Sequence, residues 1–212
     1  MSLSHFANRV GTYLTVLSHG KFALNKYMAS AIKNGIDVRN PDACLVVNIG
    51  ITRTDLFIIS NGQVLSFQAT SISCETFLDD IIFHMARMHN TRIDEPIAKQ
   101  IWDAVGTANP ESDGEPDAFE VVGPNRVTGL PMFIPVSYQE IAHCLRRDSM
   151  SLVLTIDRIL ETVPASLIKP LFSRGIFLTG EGAALRGFAQ SIEETLRIPC
   201  AAIVPSNGKT LA

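Results

Sequence analysis

Two glycine loops are the residues of this chain best suited to chemistry. The first, Asn48-Ile49-Gly50-Ile51-Thr52-Arg53-Thr54, closes the apolar run Cys44–Ile49. The second runs from Leu178 through Gly180-Glu181-Gly182 to Phe188, after the apolar run 176–178. A glycine turn after a strand lets backbone N–H groups approach an anion, and a following helix N-terminus favours negative charge. The second loop fits that geometry, although a G-x-G taken alone is more often a tight structural turn. The other reactive side chains form no comparable set. Cys44, Cys74, Cys144 and Cys200 are far apart, with no C-x-x-C pair. Three lie in apolar runs and read as small hydrophobes of a reducing cytoplasm, not zinc ligands or disulfides. His84 and His89 are five apart on one predicted helix, off a common face, and read as surface or packing residues. Arg146-Arg147 with Asp148 reads as a solvated helix face. Ser166, Ser173 and Ser206 lack a nucleophile elbow or a His/Asp pattern.

The elements that must position these loops alternate in type. A helical stripe over 4–17 precedes a short helix at about 25–34, ended by Gly35. Cys44–Ile49 reads as a strand buried on both faces, and Asp55–Ser60 and Gln63–Ala69 as a hairpin turning at Asn61-Gly62. Phe77, Leu78, Ile81, Ile82 and Met85 mark one helix; Ile97, Ile101 and Val105 mark another, entered through Pro96. Residues 109–117 form a polar loop, flanked by strands Phe119–Val122 and Met132–Val136. Ser137-Tyr138-Gln139-Glu140 has the pattern of a capping box before a long helix that stops at Pro164. Strand Ile176–Thr179, the Gly180–Gly182 turn, a helix through Leu185, Phe188, Ile192 and Leu196, and strand Cys200–Val204 complete an α/β pattern.

The 212 residues are 46% hydrophobic and 18% charged, with a net charge of −3, enough for a real core and typical of a folded chain. The charge balance offers no basic field and argues against nucleic-acid binding. No apolar run reaches the roughly 18 residues of a spanning helix, and no signal peptide is evident.

Taken in order, the strand, phosphate-hairpin loop, α/β insert, long helix and strand-G-x-G-helix resemble the second half of the actin/Hsp70/sugar-kinase superfamily. In detail the chain resembles the MreB family of bacterial cell-shape actins. That family's second phosphate loop, D-I-G-G-G-T-T-E, matches 48–55, and its A-E-E-I-K-x-x-I-G-S-A helix matches 98–108. Its V-T-G-L-P hairpin is intact at 127–131, and its adenosine loop, R-G-I-x-L-T-G-G-G-A-L-L-R-G-L, matches 174–188. The match keeps one register from about residue 21 onward. The resemblance implies an actin-like (ribonuclease H-like) half domain. Residues 1–38 would be the helical tail of a first domain, 44–73 and 137–205 the nucleotide-side subdomain, and 74–136 an inserted outer subdomain. No D-L-G-T loop precedes residue 44, so the facing half of the cleft is expected outside this chain.

The resemblance also implies ATP with Mg²⁺ as the ligand, and the chain departs from the family at the residues concerned. Asn48 stands for the Asp that organises the hydrated metal, and loses the charge a hard dication needs. Ile51 replaces a loop glycine, and Arg53 a threonine. Arg53 reads either as a solvated charge or as a cation standing in for the metal. Asn25 takes the place of the water-positioning Glu, and an amide is no base. Gln100 and Trp102 replace the base-contacting Glu and Lys; Trp102 either stacks on adenine or packs between subdomains. Glu181 puts a carboxylate in the adenosine loop. Gly50, Thr54, Gly180 and Gly182 keep the family's loop residues, and Thr52 belongs to the same candidate binding loop. At roughly 1–3 kcal/mol per lost charged contact, three losses reach about 4 kcal/mol, about a thousandfold in affinity. The expectation is a scaffold with weak or absent nucleotide handling. It would self-associate or bind another actin-like protein, in the cytoplasm or at the inner membrane face within a membrane-associated complex. The alternatives are a working ATPase filament subunit and a nucleotide-free adaptor.

Overall fold

The computed structural model describes residues 28–109 and 118–204, so Asn25 and the helix expected at 4–17 lie outside the described residues. Residues 28–33 are helical and the chain leaves them through Gly35 at φ +75. Strand β1 (Cys44–Ile49) follows, buried along its length except at the half-buried Asn48. Leu45, Val47 and Ile49 join one apolar cluster, while Cys44 and Val46 join another with Ala31, Ile36 and Val38. Alternate side chains go to opposite faces of a strand, so β1 is the central layer of the sheet.

β1 pairs antiparallel with β2 (Thr54–Ser60), and β2 with β3 (Gln63–Thr70). Asn61 and Gly62 take φ 49 and 73, the two left-handed residues of a tight hairpin turn. Helix α1 (Cys74–Met88) and helix α2 (Glu95–Val105) follow, then strands β4 (Phe119–Pro124) and β5 (Pro131–Val136) as a separate antiparallel pair. The long helix α3 (Tyr138–Leu160) packs on α1 and β3. Strands β6 (Ile176–Thr179) and β7 (Cys200–Ala202) run parallel to β1, giving the order β3-β2-β1-β6-β7. Helix α5 (Phe188–Leu196) joins them. This mixed α/β arrangement agrees with the expected class.

Helix α4 (Ala165–Arg174) departs from the sequence reading, which has nothing helical between Pro164 and Ile176. Pro164 ends the preceding pattern but occupies the N-cap of α4, where its missing N–H costs nothing. Leu171 is the one buried residue of this helix, the apolar Ile168 and Phe172 are exposed, and Pro170 inside it argues against a helix when the sequence is read alone. Arg174 fixes its end by donating to the Asp42 carbonyl at 2.7 Å and to the Asp37 carbonyl.

Candidate functional site

The two glycine loops meet at the carboxyl ends of β1 and β6. Asn48 and Thr179 are partners in the parallel register, and the Thr179 hydroxyl donates to Asn48 Oδ1 at 3.2 Å. Gly180 has φ +84, and a Cβ there would lie 2.4 Å from the Ile49 carbonyl oxygen. A Cβ on Gly182 would lie 2.2 Å from Ile49 Cγ2. Both glycines are thus required by contact with β1, and Gly180 by its backbone conformation as well. On the other jaw, the Gly50 N–H donates to the Arg53 carbonyl at 3.0 Å, closing the turn. Its carbonyl and that of Ile51 accept from the N–H groups of Cys74 and Glu75, each at 3.0 Å. The loop thereby engages the first turn of α1, which Ser73 and Thr76 cap reciprocally.

Side chains around this junction differ in what they offer. Thr52 and Ile51 are exposed on the turn. Thr54 is buried, with its hydroxyl donating to the Ile72 carbonyl at 2.7 Å, so it braces the loop from below. Arg53 folds onto Asp55: Nη2 donates to Oδ2 at 3.3 Å and Nε lies 3.2 Å from Oδ1. Glu181 begins a 3₁₀ turn, Glu181–Ala184, with its side chain exposed. Its charge, second to burial, raises the neighbouring Cys74 thiol to about 11, so that thiol stays protonated near neutrality.

Gln100 is exposed on α2, beside Lys99, which pairs with Asp103 one turn on. Trp102 is only 6% exposed and its ring packs on Phe77 with centroids 5.3 Å apart, so of its two readings the structure supplies packing. The helical stripe Ala98-Ile101-Trp102-Val105 turns it inward.

Arg186 is a positioning residue that sequence reasoning missed. It donates from Nε to the Gly106 carbonyl at 3.1 Å, from Nη2 to that of Ala104 at 2.5 Å, and from Nη1 to the Tyr138 hydroxyl at 3.0 Å. Its guanidinium also lies over the Tyr138 ring, 4.8 Å from the centroid. A cation on the last carbonyls of α2 suits that helix end and ties it to the start of α3. The signal was available as the arginine of the second loop, but its partners lie 48, 80 and 82 residues away in sequence.

A second constellation corrects two expectations. His84 and His89 converge on the Glu140 carboxylate, with Nε2 of each 2.7 and 2.5 Å from Oε1. The helical-wheel argument fails because α1 ends at Met88: His89 is its C-cap and Asn90 takes φ 50, so the chain swings the second ring back towards the first. The capping box forms only by half. Ser137 Oγ accepts from the Glu140 N–H at 3.3 Å, but the Glu140 carboxylate turns to the two imidazoles. Burial would raise this carboxyl, yet the hydrogen bonds from His89 and His84 outweigh it and hold Glu140 below the usual carboxylate range.

Comparison with known proteins completes the description. The family model for MreB/Mbl protein matches residues 19–207. The cell shape-determining protein Mbl of Bacillus cereus is 30% identical over 170 residues, covering 80% of this chain and 50% of the relative. The cell shape-determining protein MreB of Escherichia coli K12 is 30% identical over 178 residues, covering 84% and 51%. This chain thus spans about half the length of the curated relatives it matches. Among solved structures, MreB5 of Spiroplasma citri bound to AMPPNP has a TM-score of 0.78 at 24% identity, covering 83% of this chain and 52% of that one. A MamK double helical filament has a TM-score of 0.59 at 12% identity, covering 77% and 50%. Among the described residues no helix is long and apolar enough to cross a membrane.

Proposed function

This chain belongs to the MreB/Mbl family, and from that premise we propose that it acts as an actin-fold scaffold in cell-shape or envelope organisation, with ATP binding weak or lost and hydrolysis absent. The observation that carries the reading is the state of position 48. There a neutral amide accepts from Thr179 at the floor of the junction where the family's metal-organising carboxylate belongs. Three features support it. Glu181 brings negative charge to the rim, Ile51 puts a branched side chain on the phosphate turn, and Arg53 is held by Asp55 rather than projecting alone into the cleft. The backbone of both loops nevertheless retains its actin-like form, so the fold needs the glycines even where the chemistry has lapsed. Within this reading, residues 44–73 and 137–205 form the inner subdomain and 74–136 the outer one. The full-length protein works at the inner membrane face, through self-association or contact with another actin-like chain.

Isothermal titration of the full-length protein with ATP and Mg²⁺ tests the proposal. Weak or undetectable heat and no phosphate release are expected. Micromolar binding with steady release would establish the ATPase alternative instead.

A further inference from the structure

Among the described residues, one group of three metal-ligating side chains converges on a point: His84, His89 and Glu140. Nothing in the nucleotide reading uses it. It lies where the C-terminal end of α1 meets the first turn of α3. We propose that these three residues form a binding site for a divalent transition ion of the zinc type, which fastens α1 to α3.

The donor set selects the ion. Two imidazole nitrogens and one carboxylate oxygen suit zinc and its neighbours, whereas magnesium and calcium take all-oxygen shells. The ligand atoms lie within 4.8 Å of one another. Atoms bound to tetrahedral zinc at about 2.0–2.1 Å are roughly 3.3 Å apart. The two hydrogen-bonded separations, 2.7 and 2.5 Å, must therefore open by less than about an ångström, within reach of a carboxylate rotation. Each side chain is partly exposed, which gives an ion access, and each is held by a defined backbone. Glu140 is fixed by the Ser137 cap, and His89 by its N–H to the Met85 carbonyl at 3.2 Å. The imidazoles sit at a helix C-terminus, where positive charge is favoured, so the incoming cation is helped by α1. In the metal-free chain each imidazole donates its Nε2 proton to Glu140. On binding, each neutral ring takes the tautomer protonated at Nδ1, so that its Nε2 lone pair turns to the metal, and a doubly protonated ring releases one proton to solvent. Three protein ligands leave one position for water.

The test titrates the metal-free full chain with Zn²⁺ by calorimetry and with Co²⁺ by visible absorption. One ion per chain is expected, with the intense bands of four-coordinate cobalt and no thiolate charge-transfer band. His84→Asn and His89→Asn should each weaken binding at least about tenfold, and the double variant should abolish it. Glu140→Gln keeps an acceptor for the histidines but removes the anionic ligand, and should weaken binding. Long-range imidazole ¹H–¹⁵N spectra of the unmodified protein give a readout that needs no variant: the Nε2 resonances of two histidines should move on adding Zn²⁺. Absence of saturable binding, unmoved histidine resonances, retention of binding in the double variant, or a thiolate band would each overturn the proposal.

Discussion

In the proposed reading, single residues set the nucleotide affinity of the cleft. Asn48 and Glu181 are one substitution each from the family pattern, and the surrounding backbone is already in place. Replacing Asn48→Asp together with Glu181→Gly in the full-length protein should raise affinity for Mg²⁺-ATP by about ten- to a hundredfold, read by titration calorimetry. An unchanged isotherm would mean that the cleft is closed for reasons other than these two charges.

Two carboxylates make opposite contributions to stability against pH. Glu140 binds protons more weakly folded than unfolded. Its contribution is complete above the unfolded carboxylate range and is lost as pH falls through the lower, folded value. Asp80 is raised, by burial first and then by Asp148, with Arg147 offsetting only part, and its Oδ2 is buried without a partner. Because Asp80 binds protons more tightly when folded, its ionised form opposes folding near neutrality, and that penalty fades on acidification. Thermal melts across the acid range should therefore show Glu140→Gln flattening the acid limb. Asp80→Asn should raise the melting temperature at neutral pH, with a gain that shrinks as the solution is acidified. The exposed ion pair from Arg147, lost in that variant, counts for little.

At the scale of elements, glycines that look alike in the sequence carry different burdens. Gly62 has φ +73 but open space around it, so Gly62→Ala costs only the left-handed penalty, about 1–2 kcal/mol. A methyl on Gly182 collides with the branched Ile49 side chain in the middle of the core. Gly182→Ala should cost clearly more, about 3 kcal/mol, in denaturant unfolding. Equal losses would show that the second loop yields and is not clamped to β1.

The elements legible in the sequence were those with a strong local period: β1, the Asn61-Gly62 hairpin, α1, α2 and α3. Helix α4 escaped because Pro164 and Pro170 punctuate a segment whose Leu167, Ile168, Leu171 and Phe172 are otherwise at helical spacing. The meeting of the two loops was legible through the order of elements, whereas the fate of each side chain was not. Trp102 follows its own helix stripe into the core. Glu140 carries the letters of a capping box but finds stronger partners on another helix, over 50 residues earlier. Tertiary hydrogen bonds of that kind leave no trace in periodicity.

At the scale of the whole molecule, the outer hairpin is the feature that reaches beyond the chain. Val122 and Phe133 are directly opposed across β4 and β5, and both are exposed, as are Val127 and Leu130 at the turn. Apolar side chains clustered at a hairpin tip suit a protein surface better than water. If the full-length protein assembles through this tip, Phe133→Asp should leave its fold intact and reduce the pelleted fraction in sedimentation at least severalfold, with or without ATP. Undiminished pelleting would place the assembly surface elsewhere.

The carbonyls of Gly50 and Ile51 occupy the amides at the head of α1, the very groups a helix ordinarily holds out to a passing anion. Anything that drags this turn towards the opposite jaw must therefore tug on the helix itself. A helix is stiff lengthwise, and His84 sits ten residues, about 15 Å, further along. A displacement of the turn at the mouth would therefore be carried along α1 to His84, whose ring touches Glu140 of another helix.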